Sequence, residues 1–449
     1  VGNSPLPDEN TKSRPAAGLR TEQFIKPLIG HYDLRVVTIA MPECYDEEIK
    51  RKEQKHSETY RRLNISKEDS ALIGSVQKIC DEFHPDAIIS VNTFPSYIVN
   101  QLDTKAPIWA DLNGWIMAEA QAQAYKMESN AYLAHYWNME RSILERADKF
   151  SAVSVPQTYA VTGELAALGR LNAESFAYKF VHHIPNASEW FKGEDENAEI
   201  DVLKAVPKNV FVLLWVGGYN TWIDEVNLFK GLTDAMKKCP NLYFVSTGGS
   251  IERLENKTFE KFRKMVDESE LKDRFVFLGW VESKSIPYIY KRADAGINVD
   301  RKCVETLTGA RNRINEMMKF GLPVISTLGS EIAQEVEVAG AGITVASGQH
   351  ELLTDAICEM YEEWHGGDGR QSTEMLSWSK SGQEYVKKNN YKSSLAPLLN
   401  WLENPRPAPD RGVRVKFGGL SGGILSSAWR FFRKNGLKKF IQKLRQRLS

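Results

Sequence analysis

The chain has 449 residues, of which 42% are hydrophobic, and its 58 basic and 58 acidic side chains cancel. That length is too great for one core and comfortable for two α/β domains of about 200 residues each. No apolar run approaches the roughly 18 residues of a membrane-spanning helix, the opening residues do not read as a signal peptide, so none is expected, and the scattered cysteines (Cys44, Cys80, Cys239, Cys303, Cys358) argue against disulfide frameworks and zinc sites and for a reducing cytosol.

The first residues, Val1-Gly2-Asn3-Ser4, read as the end of a strand entering a loop, as if the chain were trimmed or most of its first strand were missing. Gly2 to Gly18 is a polar loop, mostly surface, with Gly2 and Arg20 the candidates for a cleft-facing role. A helix over Leu19 to Leu28 leads to a strand over Leu34 to Ile39, a βαβ opening. The charged segment Arg51 to Asp69 is predicted helical or mobile. A helix from Ser70 to Phe83 then turns through His84-Pro85-Asp86 into the strand Ala87 to Val91. After a helix at Pro95 to Leu102, the strand Pro107 to Ala110 ends in Asp111-Leu112-Asn113-Gly114-Trp115. Parallel sheets place chemistry just beyond the carboxyl ends of their strands, which makes Asp111 and Asn113 the catalytic or acceptor-side candidates. Asp111 serves equally well as the cap of the next helix.

Farther on come a helix at Trp137 to Ala147, a strand in Asp148 to Ser154 and another in Val181 to Asn186. His182 and His183 are adjacent, so they face opposite sides of a strand and read as core or edge residues, not as metal ligands. The acidic run Gly193 to Asp201 is the predicted linker. Val210 to Val216 opens a second βα series, with glycine-containing loops at Gly217-Gly218, Gly248-Gly249 and Gly279. Between Ala293 and Thr344 the pattern is strand, loop, helix, strand, the helix stopped by Gly321 and Pro323. Arg311 and Arg313 stand at the start of that helix, where unpaired N–H groups make a natural anion site; a solvated helix face accounts for them as well.

The segment Glu316-Met317-Met318-Lys319-Phe320-Gly321-Leu322-Pro323-Val324-Ile325-Ser326-Thr327 resembles the E-A-M-x-x-G-x-P-V-[IV]-x-[ST] signature of the retaining GT-B glycosyltransferases of family 4. Gly329-Ser330-Glu331, Arg274 to Val281, Asp148 to Ser154 and Val181 to Asn186 are similar to further family segments in the same order. The resemblance implies an α/β fold of two Rossmann-like domains facing across a cleft. It implies that Glu316 contacts the donor ribose, that the helix start holds the nucleotide diphosphate, and that the loop at Gly279 cups the base. Thr308 stands where the family has its first Glu, the nearest acid being Glu305. The family's phosphate-binding Arg and Lys-Gly are missing from the Gly217 to Trp222 loop, with Lys230-Gly231 coming late. Backbone N–H groups of Gly217 and Gly218, with Asn220, Thr221 and the Gly248 loop, are then expected to share the diphosphate with Arg311 or Arg313.

The tail carries a charge of its own. From Pro405 to Ser449 there are twelve Lys and Arg against one acid, a balance of +11 that leaves −11 on the rest of the neutral chain. Leu425, Ala428, Trp429, Phe432, Leu437, Phe440, Ile441, Leu444 and Leu448 follow helical spacing, with eight Lys and Arg on the other face. This is the composition of an interfacial membrane helix; packing on the protein's own acidic body is the alternative, and nucleic acid is disfavoured because the aromatics lie on the apolar stripe.

The predicted organisation is an acceptor domain (1–190), an acidic linker (191–208), a nucleotide-sugar donor domain (209–380), a crossover helix (381–404), a Pro/Gly-rich tether (405–423) and an amphipathic tail (424–449) on an anionic membrane surface. The expected protein is a cytoplasmic, peripheral glycosyltransferase that takes its sugar from a nucleoside-diphosphate sugar and needs no other cofactor. Its acceptor class is a lipid-linked or cell-surface polysaccharide intermediate. With no Asp-x-Asp triplet, the expected chemistry uses no metal, the helix dipole and an arginine stabilising the leaving diphosphate. A nucleotide-sugar 2-epimerase of the same fold and a catalytically degenerate membrane scaffold are the rival readings.

Overall fold

The computed structural model describes residues 1–9, 11, 15–45, 48–49, 51–189, 203–204, 206–250, 256–282, 285–413, 415, 432–434, 436–437, 439 and 441. The acidic run 193–201 and most of the predicted amphipathic tail, 424–449, lie outside the described residues.

Among its described residues the first domain holds eight strands: β1 (Gly2–Ser4), β2 (Leu34–Ala40), β3 (Lys52–Lys55), β4 (Tyr60–Ser66), β5 (Ile88–Val91), β6 (Ile108–Asp111), β7 (Lys149–Ala152) and β8 (Val181–His183). They run in the orders β1-β2-β4-β3 and β5-β6-β7-β8, parallel except for β3 against β4. Val1 joins the two groups: its amino group donates to the Ile89 carbonyl at 2.7 Å and its carbonyl accepts from Val91 N at 2.8 Å. Within the segment 51–69, predicted helical or mobile, β3 and β4 form an antiparallel hairpin. Their charges concealed a strand that buries Tyr60 and Arg62 on one face and Ile65 on the other, Arg62 because both oxygens of Asp8 meet it at 3.0 Å.

Among its described residues the second domain has six strands: β9 (Phe211–Trp215), β10 (Leu242–Thr247), β11 (Phe275–Gly279), β12 (Ala295–Asn298), β13 (Val324–Thr327) and β14 (Gly342–Val345). All are parallel, in the order β11-β10-β9-β12-β13-β14. Every residue of Phe-Val-Leu-Leu-Trp in β9 is buried, as a central strand covered by helices on both faces requires. This is the doubly wound order, and its direction reverses between β9 and β12. Loops leaving neighbouring strands there go to opposite faces, which opens a crevice at the carboxyl edge; the Gly217 and Arg301 loops border it.

The chain returns to its first domain at the end. Leu395, at the junction of helices Tyr391–Ser394 and Ala396–Leu402, and Leu398, within the second, pack with Phe24, Val91, Trp109 and Ile184. Beyond them, the segment predicted as a loose tether is partly fixed. Asp410 is buried and holds Arg170 through both oxygens, at 2.8 and 2.9 Å, while Arg411 bonds Asp148. Composition gave no hint of these pairs, whose partners lie 240 and 263 residues upstream.

Candidate active site

The carboxyl edges of the two sheets face each other, and named bonds cross between them. Ser154 Oγ donates to the Thr308 carbonyl at 2.7 Å, and Val155 N donates to Glu331 Oε2 at 2.7 Å. His183 Nε2 lies 3.0 Å from Glu331 Oε1. Asn315 Nδ2 donates to the Asn186 carbonyl at 3.1 Å, and Ser188 Oγ to Glu316 Oε1 at 2.5 Å.

On the second domain, the glycine loops support one another. Gly217 and Gly248 both have positive φ, at +92° and +79°, and a Cβ on Gly248 would lie 2.4 Å from the Gly217 carbonyl oxygen. Only a bare backbone permits that approach. Gly248 N also donates to the Gly279 carbonyl at 2.7 Å, so the loops after β9, β10 and β11 form one stack. Within it Asn220 is half-buried and Thr221 buried. Trp280, half exposed, caps the rim with its indole N–H on the Ser250 carbonyl.

Helix Asn312–Lys319 points its N-terminus at this stack. Arg313 Nη2 donates to the Gly218 carbonyl at 2.8 Å, and the guanidinium lies 4.0 Å above the Trp215 ring. Its Nη1 is buried without a hydrogen-bond partner among the described residues. Burial pulls its pKa down to about 10, which leaves it charged at neutral pH. One turn on, Glu316 occupies the same face, with Lys319 Nζ 3.4 Å from its second oxygen.

The structure separates the two arginines that sequence reasoning left equivalent. Arg311 is an interior residue: Nε meets Asp300 at 2.7 Å, and Nη1 and Nη2 meet the two oxygens of Glu305 at 3.0 and 2.7 Å. Its remaining donors reach the Ala310 carbonyl and Thr306 Oγ1. No N–H is left over for a phosphate. Glu305, the acid nearest the Thr308 departure, is spent in the same cluster.

Asp111 requires a correction of the same kind. It is wholly buried, gripped by Arg20 Nε at 3.0 Å and Nη2 at 2.7 Å, with Ser151 Oγ at 2.7 Å on one of the same oxygens. Arg20 also donates to the Ile184 and Pro185 carbonyls and to Asn186 Oδ1. Asp111 is thus not the cap of the next helix, whose N-cap is Trp115, and its carboxylate is engaged by Arg20 and Ser151. It positions the floor of the cleft, because the side chain at the end of a parallel strand turned inward to the arginine. Asn113 does reach the cleft wall, in a left-handed conformation (φ +55°) and donating to Asn92 Oδ1 at 2.9 Å.

Sequence reasoning passed over the carboxyl groups behind that wall. Glu119 packs on Gly114, where a Cβ would sit 2.1 Å from its Oε1. Burial, reinforced by repulsion from Glu305, pushes its pKa to about 7. Burial likewise carries Glu164 to about 7, and burial with repulsion from Glu164 and Glu119 drives buried Glu140 well above the carboxylate range. Glu140 and Glu164 stand outside every loop motif, so spacing alone gave no signal. His182 lies against Trp109 with ring centroids 5.1 Å apart, and burial lowers its pKa to about 4. Among the described residues no group of three or more His, Cys, Asp and Glu is arranged to hold a metal ion, and no helix is long and apolar enough to cross a membrane.

Residues 210–363 match the family model described as glycosyl transferases group 1. No curated protein matches the chain. Among solved structures it is similar to a sucrose-phosphate synthase from Thermosynechococcus elongatus, with a TM-score of 0.62 at 15% identity, covering 88% of this chain and 96% of that one. It is similar also to Anabaena HepE in complex with UDP-glucose, with a TM-score of 0.59 at 14% identity over 88% and 98% of the two chains. A third likeness is to WaaG, a glycosyltransferase involved in lipopolysaccharide biosynthesis, with a TM-score of 0.57 at 14% identity over 90% and 98%. The chain therefore has the GT-B fold, and its residues 210–363 match the glycosyl transferases group 1 model.

Proposed function

We propose that this chain transfers a sugar from a nucleoside-diphosphate-sugar donor to an acceptor lying in the cleft. One observation carries the reading: Arg313 presents a buried guanidinium with an unpartnered nitrogen beside the Gly217–Gly218 loop, one helical turn from Glu316. A diphosphate there meets a fixed cation and the positive end of a helix, and both gain importance as charge develops on the leaving group. Glu316 supplies a carboxylate that accepts from the ribose hydroxyls. The Gly217, Gly218, Gly248 and Gly279 backbones, with Asn220 and Thr221, line the space between. The UDP-glucose held by HepE supports a donor of this class. The acceptor we favour is a lipid-linked or cell-surface polysaccharide intermediate at the cytoplasmic face of a membrane, as the role of WaaG in lipopolysaccharide biosynthesis and the basic tail suggest. Retention of configuration and independence of a metal are carried over from the family resemblance.

A donor screen on the purified protein, read as released UDP, GDP or dTDP, tests the activity. Acceptor-independent conversion of the donor would indicate the epimerase, and failure to bind any nucleotide the scaffold.

Glu316→Ala should weaken ribonucleotide-donor binding by roughly 1.5–3 kcal/mol, the worth of a hydrogen bond to a charged group, with little change in melting temperature. A 2′-deoxy donor should lose less, because one ribose contact is already gone. Equal losses for both donors would point to general distortion of the site, and no loss for either would remove Glu316 from it.

Removing 424–449 should abolish sedimentation with anionic liposomes while UDP affinity stays as in the full chain. High salt should weaken the full chain's binding only in part, since apolar burial persists when charges are screened. Sedimentation that survives the truncation would rule out the tail as anchor.

A further inference from the structure

A cavity of about 740 Å³ lies between the domains, beside the donor crevice. The first domain lines it with the end of helix Ile116–Met127 and the segment beyond, including Tyr125, Lys126 and Leu133; the second lines it with Glu225, Lys261 and Arg301. Its size falls within the about 300–1,000 Å³ of small-molecule sites.

The charges on its wall do not balance. Lys126 Nζ and Lys261 Nζ each lie 3.0 Å from Glu225 Oε1, and Arg301 donates to Oε2. One carboxylate, itself only 1% exposed, thus holds three cations that come from both domains. Arg301 is further fixed by the Ile223 carbonyl, through Nε at 3.1 Å and Nη2 at 2.6 Å. The lining carries three cations against two acids, and the second acid, Glu128, is exposed as Lys261 is, so water screens both. An excess of fixed positive charge in a concave wall concentrates anions. Beside it, the exposed ring of Tyr125 and the side chain of Leu133 offer an apolar surface of the kind the C–H face of a sugar covers.

The cavity is also joined to the donor site through one segment. The loop that starts at Gly217, opposite Arg313, ends where helix Glu225–Lys238 begins, and Arg301 N donates to the Trp222 carbonyl of that loop at 2.8 Å. We infer that this cavity is a second anion site that takes a phosphorylated sugar as acceptor, its phosphate among Lys126, Lys261 and Arg301 and its ring against Tyr125. The inference rests on the glycosyl-transfer reading of the cleft. It names the acceptor's chemistry, a sugar bearing phosphate, whether free or carried on a lipid diphosphate.

Calorimetric titration of the full chain separates the possibilities. Glucose 6-phosphate and vesicles bearing a polyprenyl-diphosphate sugar are the two probes, with glucose and sugar-free vesicles as controls. Binding of the first shows a free sugar phosphate as the source, and binding of the second alone shows a lipid-borne one; either supports the site. The half-exposed Lys261 can be changed without opening the core, and Lys261→Gln should raise the Kd of the bound probe roughly tenfold, the effect of one charge-assisted contact. UDP affinity in that variant should stay at the parent value. A charge cluster that merely clamps the domains together predicts that neither probe binds, or that Lys261→Gln binds it as the parent does; either result overturns the inference. Should the parent fail to bind UDP or any other nucleoside diphosphate, the transfer reading fails separately, and the phosphate titration still decides the cavity.

Discussion

Arg311→Ala should cost the fold about 3–5 kcal/mol, because it leaves two buried carboxylates without their cation. Asp300 and Glu305 are 0% and 3% exposed, and burial raises the pKa of Glu305 even with the arginine in place. Without Arg311 both acids must take up protons or admit water, so the variant should lose most of its stability near neutral pH and regain part of it in mild acid. Chemical denaturation of parent and variant at two pH values measures this directly. A loss below about 1 kcal/mol, the range of exposed ion pairs, would mean that the cluster is wet and that Arg311 can turn toward a ligand after all. Where the variant stays folded, its nucleoside-diphosphate affinity should be close to the parent's.

Arg313→Ala should do the reverse. Its guanidinium meets no carboxylate within ion-pair distance among the described residues, only the Gly218 carbonyl and the Trp215 ring, so its removal leaves no buried anion behind. Stability should change by about 1 kcal/mol or less. Nucleoside-diphosphate affinity should fall by about 2 kcal/mol, roughly thirtyfold, as expected for a charge-assisted bond to phosphate, whereas binding of the free nucleoside should hardly move. Titration of UDP and uridine into both proteins checks the contrast. If the loss is the same for uridine, Arg313 shapes the site without touching phosphate; if neither changes, the helix start is not the diphosphate site.

The pair illustrates how far sequence carries here. Signals that depend on local order were readable. The glycines after β9, β10 and β11, the Glu316 to Thr327 segment and the proline that begins β13 each mark a strand end or a helix stop, and together they foretell the doubly wound second domain. Arg311 and Arg313, by contrast, occupy nearly equivalent local contexts. What distinguishes them is that Asp300 and Glu305 lie within reach of one and the Gly218 carbonyl within reach of the other, which only the folded chain reveals. Asp111 was misread for the same reason: its partner, Arg20, is 91 residues away. The hairpin at 52–66 was missed because charged side chains at an edge conceal the period of two that apolar ones display. The cations around Glu225 come from three separate helices and loops of two domains, and no spacing rule could have gathered them.

The bond between Ser188 and Glu316 puts a side chain of the protein itself on the carboxylate proposed to hold the ribose. Ser188 belongs to the segment leaving the first domain, and its hydroxyl already satisfies the carboxylate oxygen that a ribose would claim, while Lys319 holds the other. A donor entering the proposed site is then a competitor at Glu316, and its gain there is the difference between two hydrogen bonds, not the whole of one. Because the displaced hydroxyl is attached to the opposite domain, nucleotide entry and loosening of one interdomain tie become a single exchange.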